Sequence, residues 1–243
     1  MRVAVLSDIH GNLHALDAVL ESVAADAPDA VWCLGDLVGY GPRPNRCCTL
    51  VAARADVCLI GNHDLGVLGR LDLDDFSYDA AASARWTADV LEDEPRAFLE
   101  SLEPAGEAHD VAFYHASARD PVWEYVLTPF AALASFAASE ARILLVGHSH
   151  VALAFGLADQ RLETTIAPGG TRLDVSGDGR WILNPGSVGQ PRDGDPRAAY
   201  LMLDLDAGRA DYKRVEYAVE RTQAEIRERG LPEPLAERLA QGI

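Results

Sequence analysis

Five apolar runs in this chain end in the same way, with Asp, Asn or His among the residues that follow directly. The runs are VAVLS, VWCLG, VCLIG, VAFY and ILLVG, and the residues after them are Asp8 and His10, Asp36, Asn62-His63-Asp64, His115, and His148 and His150. Turn formation explains an Asp or a Gly after a buried strand, but it does not explain the histidines. Five of the seven histidines of the chain belong to this set, which chance placement does not produce.

The spacing of the first three runs predicts a parallel sheet. Helical patterns at 13–25 and 43–54 separate strand-like runs at 2–7, 30–34 and 57–60, which is the βαβαβ order of an α/β fold. Ligands of open α/β sheets bind at the carboxyl ends of the strands, so the polar residues at these ends are expected to converge in one crevice.

The rest of the chain predicts more strands around a helical insertion. A mainly helical rim segment is expected at about 70–104, with Ser77 as a helix N-cap, and strands are expected at 111–114 and 143–146. After His150, short strands are expected at 151–155, 162–166, 181–183, 199–205 and 210–217. A hairpin is expected at 206–208, and a helix closes the chain. No linker is long enough to divide domains, so residues 1–243 are predicted to form a single domain.

Charge and composition restrict the classes of partner. The formal net charge of −17 argues against a protein that grips a nucleic-acid duplex, although bound cations would still allow a small phosphorylated substrate. The four cysteines have no CxxC spacing and are expected to be small buried residues of a reducing compartment. No apolar run reaches the roughly 18 residues of a membrane span, and no signal peptide is expected, because Met1-Arg2 leads directly into the first strand. A cytoplasmic protein is expected, with no membrane partner.

The residue types at the strand ends match two metal ions. Without His63 and Asp64, seven candidate ligands remain: Asp8, His10, Asp36, Asn62, His115, His148 and His150. If one carboxylate bridges, each ion has four protein ligands and keeps open positions, as catalytic sites do. Imidazole mixed with carboxylate suits Mn, Fe, Co, Ni or Zn and does not suit a calcium cage.

Each of these residues also has a structural explanation when taken alone. Asp8 and Gly11 can be turn-forming residues, Asn62 can cap a helix, and His115 can be a core histidine. Their occurrence together favours the metal site. His14, inside a helical pattern, and His109, in a polar turn, stay outside it.

The motifs DIHGN, GDLVGYGP, GNHD, HAS and GHSH, in this order, resemble the calcineurin-like metallophosphoesterase superfamily. Within it, RDPVWEY and NPGSVGQPRDGDPRAAY resemble a bacterial branch of phosphodiesterase-type and diadenosine-tetraphosphatase-like proteins. The resemblance covers nearly the whole chain. It implies a four-layer α/β/β/α sandwich of two mixed sheets flanked by helices.

The resemblance also implies roles for the matching positions. One ion is expected on Asp8, His10, Asp36 and His150, and the other on Asp36, Asn62, His115 and His148, with Asp36 bridging. His63 is expected to be the general acid, oriented by Asp64. Ala116 and Ala118 depart from the usual Gly and Pro of this branch. The protein phosphatases of the superfamily carry an Arg shortly after the Gly-Asp motif, and its absence from residues 37–41 weakens a protein-phosphatase interpretation.

A metal-dependent phosphodiesterase is therefore the expected function, acting on small organic phosphate or nucleotide esters. The expected nucleophile is a metal-bridging hydroxide, the expected cofactor is a pair of divalent ions with manganese as the first choice, and His63 is expected to protonate the leaving group. A dinucleoside-polyphosphate pyrophosphohydrolase, a phosphomonoesterase and an inactive scaffold of the same fold are the alternatives.

Substrate contacts are less strongly indicated by the sequence. Asn12 and Arg192 are the candidates, although turn formation explains much of the segment around Arg192. Trp123 and Tyr125 either pack helices against the sheet, the favoured interpretation, or form a rim over the site.

Overall fold

The computed structural model describes residues 1–243 and contains twelve strands. In chain order they are β1 (Arg2–Leu6), β2 (Ala30–Cys33), β3 (Val57–Cys58), β4 (Ala105–Ala108), β5 (Val111–Tyr114), β6 (Ile143–Val146), β7 (Ala152–Ala158), β8 (Arg161–Ile166), β9 (Arg172–Asp174), β10 (Arg180–Pro185), β11 (Ala198–Asp204) and β12 (Arg209–Val215).

The helices lie outside the strands. They are α1 (Leu13–Asp26), α2 (Pro44–Arg54), α3 (Asn62–Val67), α4 (Tyr78–Val90), α5 (Asp93–Glu100), α6 (Pro129–Ala137), α7 (Val219–Glu228) and α8 (Glu233–Glu237), with short 3₁₀ helices at Leu73–Asp75 and Arg238–Ala240. The longest of them, α1, has 14 residues, and none joins the length and the apolar character needed to cross a bilayer.

The strands form two mixed sheets of six. The first sheet has the order β3-β2-β1-β11-β12-β9 and the second β4-β5-β6-β10-β7-β8. The strands β1, β2 and β3 are parallel to one another, as are β5, β6 and β10, and the remaining pairs are antiparallel. The predicted parallel βαβαβ unit and the hairpin between β11 and β12 are both present.

The alternation of side chains along each strand builds the four layers. Along β1, Val3 and Val5 join an apolar cluster with residues of the second sheet, whereas Ala4 and Leu6 pack with α1 and α2. Along β6, Leu145 belongs to the same intersheet cluster, and Leu144 and Val146 pack with α6. Because successive side chains point to opposite faces of a sheet, each sheet packs on the other sheet and on a helical layer. The expected α/β/β/α sandwich is confirmed.

Two strands were not predicted from the sequence, and both carry weak patterns. The strand β4 has the sequence AGEA and is half-exposed, and β9 has three residues at a sheet edge.

The rim segment holds the first 3₁₀ helix, α4 and α5, and Ser77 caps α4 by accepting from Ala80 N–H, as expected. That residues 1–243 form one domain stays a prediction.

Candidate metal centre

The polar residues at the strand ends meet at one edge of the sandwich. Asp8 and His10 follow β1, Asp36 follows β2, Asn62 opens α3 after β3, His115 follows β5, and His148 and His150 follow β6. Both sheets therefore contribute, and all seven side chains are buried.

These side chains form two groups of potential ligand atoms that share one residue. Group one consists of Asp8, His10, Asp36 and His150, and group two of Asp36, His115 and His148. Within each group the ligand atoms lie within 4.8 Å of one another. Asn62 stands next to group two, because its Oδ1 lies 3.1 Å from Nε2 of His115.

The backbone at this edge is held in an uncommon conformation. Five ligand candidates have positive φ: Asp8 (54°), His10 (49°), Asp36 (54°), His148 (62°) and His150 (59°). Non-glycine residues rarely adopt this left-handed region, and where they do, the surrounding structure must hold them. Part of that support is a set of bonds between adjacent turns, including His10 N–H to the carbonyl of Asp36 at 2.9 Å. Strain is thus concentrated where the candidate ligands lie.

The glycine at position 61 is required by a close approach to Asp36. A Cβ built on Gly61 would lie 2.0 Å from Oδ1 of Asp36. The same oxygen accepts the backbone N–H of His63 at 2.9 Å, which fixes the carboxylate against the start of α3. The second oxygen, Oδ2, is buried and has no hydrogen-bond partner in the protein.

Backbone carbonyls fix the orientation of the imidazole rings. Nδ1 of His10 bonds the backbone carbonyl of Val38 at 3.0 Å. Nδ1 of His150 bonds the backbone carbonyl of Gln190 at 2.6 Å, and Nδ1 of His115 bonds that of Leu34 at 2.8 Å. A carbonyl only accepts, so Nδ1 carries the hydrogen and Nε2 of each neutral ring keeps its lone pair. In His148, Nε2 donates to Trp123 O, leaving the Nδ1 lone pair. Second-sphere bonds of this kind orient metal-ligating histidines.

The lone pairs left over face one another. Nε2 of His10 lies 3.0 Å from Nε2 of His150, and Nε2 of His115 lies 3.1 Å from the Asn62 amide oxygen. Acceptors at such distances repel each other unless a cation lies between or beside them. The unpartnered Oδ2 of Asp36 lies 3.6 Å from His10 Nε2 and 3.5 Å from His115 Nε2. This donor set fits a divalent metal centre.

Burial favours the uncharged forms of the acidic and basic groups when no cation is bound. It raises the pKa of Asp8 to about 7 and raises the pKa of Asp36 well above its ordinary value. It also lowers the pKa of His10 and His150 well below the ordinary value, and that of His148 to about 3. A divalent cation would reverse the effect on the carboxylates because it favours their ionised form.

Metal binding is therefore expected to release protons near neutral pH. A cation binds Asp8 as the carboxylate, so below a pH of about 7 each fall of one unit should weaken the affinity roughly tenfold for each proton released. Calorimetric titration of chelator-treated protein with Mn²⁺ at several pH values, in buffers of different ionisation enthalpy, measures the affinity and the number of protons. Equal affinities on both sides of pH 7, with no buffer dependence, would contradict this expectation.

The two predicted catalytic residues lie at the site, but no hydrogen bond joins their side chains. The His63 ring stands beside His10, with 4.9 Å between ring centroids, and its Nδ1 has no hydrogen-bond partner. The Asp64 carboxylate instead accepts the backbone N–H groups of Val38 and Gly61, each at 3.0 Å. No direct hydrogen bond therefore joins Asp64 to the His63 ring, and the orienting role expected of Asp64 stays a prediction. Asp64 holds the loop after β2 and the start of α3 in place.

The candidate substrate contact Asn12 has a structural role instead. It caps α1 by accepting from Ala15 N–H, its Oδ1 also accepts from Thr222, and its amide donates to Gly189 O and the Tyr217 hydroxyl. Both donors and both lone pairs of the buried amide are thus occupied, which leaves none for a substrate.

Arg192 is placed as a substrate contact would be. Its guanidinium bonds Gln190 Oε1 at 2.7 Å and the Tyr40 hydroxyl at 3.3 Å, and none of its hydrogen bonds goes to a carboxylate. After burial, its positive charge is the next cause of the lowered pKa of His63, and it partly offsets the rise that burial causes in the pKa of Asp8 and Asp36. The guanidinium is therefore in electrostatic reach of both groups.

Aromatic side chains border the site. The Tyr125 ring is 48% exposed and stacks on His148 with 4.2 Å between centroids and 9° between planes. Trp123 packs edge-on against Phe76 at 5.0 Å, and Phe76 in turn lies 5.2 Å from His63. The rings of Trp123 and Tyr125 thus lie beside His148 and the rim segment, and the favoured interpretation of them as helix-to-sheet packing does not describe Tyr125.

Sequence reasoning gave no role to Tyr40, which the structure places at the site. Its ring lies 4.6 Å from His10 and 4.3 Å from His63, and its backbone has a φ of 56°. The glycines on both sides of Tyr40 are the signal available in the sequence, since they permit a tight turn directly after a strand-end ligand. The other two histidines lie outside the groups: His14 contacts Glu225, and His109 sits in a turn.

Comparison with known proteins agrees with this geometry. The family model of the calcineurin-like phosphoesterase superfamily domain matches residues 1–208. The crystal structure of a metallophosphoesterase from Sphaerobacter thermophilus superimposes with a TM-score of 0.89 at 43% identity, covering 100% of this chain and 99% of that chain. An uncharacterized protein of Methanocaldococcus jannaschii is 37% identical over 245 residues, 99% of this chain and 98% of its own length.

A third similarity is shorter. The symmetrical bis(5'-nucleosyl)-tetraphosphatase of Pseudomonas fluorescens is 39% identical over 71 residues, which are 28% of this chain and 25% of that protein. Because this match covers only about a quarter of each chain, it does not show which substrate this chain hydrolyses.

Proposed function

This chain belongs to the calcineurin-like phosphoesterase superfamily and is a metal-dependent phosphoric ester hydrolase, and we propose that it is a two-metal phosphodiesterase acting on small organic phosphate or nucleotide esters. One observation carries the proposal. Oδ2 of Asp36 is buried, has no hydrogen-bond partner, and lies 3.6 Å and 3.5 Å from the Nε2 atoms of His10 and His115, one in each group.

The two groups would hold the two ions. Asp8, His10, Asp36 and His150 would bind one, and Asp36, Asn62, His115 and His148 the other, with the Asp36 carboxylate shared. Imidazole and carboxylate without thiolate favours Mn²⁺, Fe, Co, Ni or Zn over Ca²⁺, and we take manganese as the ion to test first.

Such a metal pair, when bound, lowers the pKa of a water molecule and neutralises charge on the phosphoryl oxygens. The protein residues would do the rest. Arg192 would bind a phosphoryl oxygen through its guanidinium, which has no carboxylate to neutralise it. His63 would give a proton to the leaving oxygen from Nε2, because its Nδ1 is buried on the side of Gly39. Phe76 and Trp123 would limit the access of water to His63.

A dinucleoside-polyphosphate pyrophosphohydrolase is the second candidate. The 71-residue similarity to a bis(5'-nucleosyl)-tetraphosphatase favours it. The partly exposed Tyr125 ring would also suit an adenine base, which stacks on aromatic side chains.

A cytoplasmic location of the protein remains a prediction from the sequence.

A substrate panel tests the proposal. Chelator-treated protein is reloaded with Mn²⁺, Fe²⁺, Co²⁺, Ni²⁺ or Zn²⁺ and assayed on a nitrophenyl diester, a nitrophenyl monoester, cyclic nucleotides and dinucleoside polyphosphates. We expect activity only after metal addition and the highest kcat/KM on a diester. A clear preference for dinucleoside polyphosphates would favour the second candidate, and a preference for the monoester would contradict the diesterase assignment. No hydrolysis with any metal would contradict the proposed function as a whole.

A further inference from the structure

Tyr40 is held at the site in a conformation that bulky residues seldom adopt. Its φ of 56° lies in the left-handed region, and its side chain is only 8% exposed. The ring packs on His10 and His63, and the Arg192 guanidinium lies over its face, 5.6 Å from the centroid. Tyr40 also belongs to an apolar cluster with residues of α4, α7, α8 and the last 3₁₀ helix. The fold thus fixes this phenol between a candidate ligand, the candidate acid and the candidate phosphate-binding arginine.

The hydroxyl group of Tyr40 has an unused donor. It accepts a hydrogen bond from Arg192, but its own O–H donates to no group of the protein. A phenol ordinarily loses its proton only near a pH of about 10, so the Tyr40 hydroxyl can donate a hydrogen bond at neutral pH. Buried donors without an acceptor are uncommon in proteins, and at a functional site such a donor points to a ligand or to ordered water.

We propose that Tyr40 is a substrate-binding residue, and that its hydroxyl donates a hydrogen bond to the same phosphoryl oxygen that the Arg192 guanidinium binds. The inference rests on the proposed function only in taking the bound group to be a phosphoryl group. Gln190 anchors the guanidinium at 2.7 Å, so the Arg192–Tyr40 pair presents two neighbouring donors in a fixed arrangement. Two rigid donors lose little conformational entropy when an anion binds.

The test measures phosphate binding, which needs no turnover. Inorganic phosphate is titrated calorimetrically into the metal-loaded wild type and into Tyr40→Phe, with the metal content of each measured by elemental analysis. Phenylalanine keeps the ring contacts and removes only the hydroxyl. Loss of one hydrogen bond to an anion should raise the phosphate Kd roughly tenfold, with metal content unchanged.

Three further variants separate this role from a general effect on the fold. Tyr212→Phe removes the buried hydroxyl of a residue in the intersheet apolar cluster, which donates to Leu153 O, and should lower thermal stability while leaving the phosphate Kd unchanged. Arg192→Gln is measured alone and combined with Tyr40→Phe. The loss of phosphate-binding free energy in the double variant should be smaller than the sum of the losses in the two single variants, because both donors bind one oxygen.

The outcomes distinguish this inference from the proposed function. An unchanged Kd in Tyr40→Phe, strictly additive losses in the double variant, or no phosphate binding by the wild type would each overturn the assignment of Tyr40. Phosphate binding that depends on Tyr40, in a protein that hydrolyses no ester of the panel, would contradict the proposed function and support the inference.

Discussion

Asp36→Ala is expected to remove both metal ions and nearly all phosphoesterase activity. Oδ2 of Asp36 lies within 3.6 Å of the Nε2 atoms of both His10 and His115, so its removal takes a ligand from both groups at once. His150→Ala takes a ligand from group one alone. Loss of an outer-sphere partner typically lowers metal affinity or activity about 10–100-fold. Loss of the shared ligand should therefore lower activity more than about 100-fold, and more than the loss in His150→Ala.

Metal content and rescue by added metal measure the difference. Elemental analysis after saturation should give about two ions per chain for the wild type, about one for His150→Ala and close to none for Asp36→Ala. Asp36→Asn is the matched control for folding, because its amide oxygen can still accept from His63 N–H while the NH₂ group replaces Oδ2. It should keep the thermal stability of the metal-free wild type and lose the metals as Asp36→Ala does. A wild-type content of one ion or less, or equally easy rescue of Asp36→Ala and His150→Ala by excess metal, would contradict the shared-ligand role.

The candidate ligands could be found from the sequence because the rule that collects them is topological. Parallel strands end at the same edge of a sheet, so residues after β1, β2 and β3 must be neighbours whatever their side-chain conformations. The same argument applies to β5 and β6 in the second sheet. The residue types then indicated the chemistry, and the grouping of Asp8 with His150, 142 positions away, came from resemblance and agrees with the geometry.

Roles that depend on the direction of a side chain could not be found in this way. Asp64 follows His63 directly, yet its carboxylate turns to the backbone of Val38 and Gly61, where two N–H donors outcompete an imidazole that lies against Gly39. Asn12 sits in a motif shared with metal-binding residues, but its position at the start of α1 gives its side chain a helix to cap.

Tyr40 could not be found because nothing local marks it as functional. Its position depends on a left-handed backbone conformation that the sequence alone does not favour for tyrosine, and on an arginine 152 positions further along the chain. The glycines beside it indicate only that a turn is present.

His63→Ala is expected to slow the hydrolysis of alkyl and nucleotide esters about 10²–10⁴-fold, the usual contribution of general acid catalysis. The variant should lose far less of its rate on nitrophenyl esters. A nitrophenolate, with a pKa of about 7, leaves without a proton, whereas an alkoxide does not. Both ions should remain bound, since His63 belongs to neither group and alanine keeps the backbone N–H that Asp36 accepts.

The surroundings of His63 determine the pH dependence of this contribution. Burial and the charge of Arg192 lower the pKa of His63 well below its ordinary value, so the ring is neutral at pH 7 in the protein without substrate. To act as an acid it must gain a proton in the complex, where the negative charge of the ester favours the imidazolium. The contribution of His63 to the rate should therefore be largest at low pH. It should disappear as the pH rises through the pKa of His63 in the enzyme–substrate complex, which the pH dependence of kcat reports.

A series of esters with graded leaving-group pKa decides the role of His63. The logarithm of kcat is measured against leaving-group pKa for the wild type, His63→Ala and His63→Gln, the last of which fills most of the space between Tyr40 and Phe76 without supplying an acid. The two variants should give the same steep dependence on leaving-group pKa, and the wild type a shallow one. If His63→Gln matched the wild type, the ring would act by packing. If both variants lost activity equally on every ester, His63 would act on substrate binding, and proton donation to the leaving oxygen would have to come from another group.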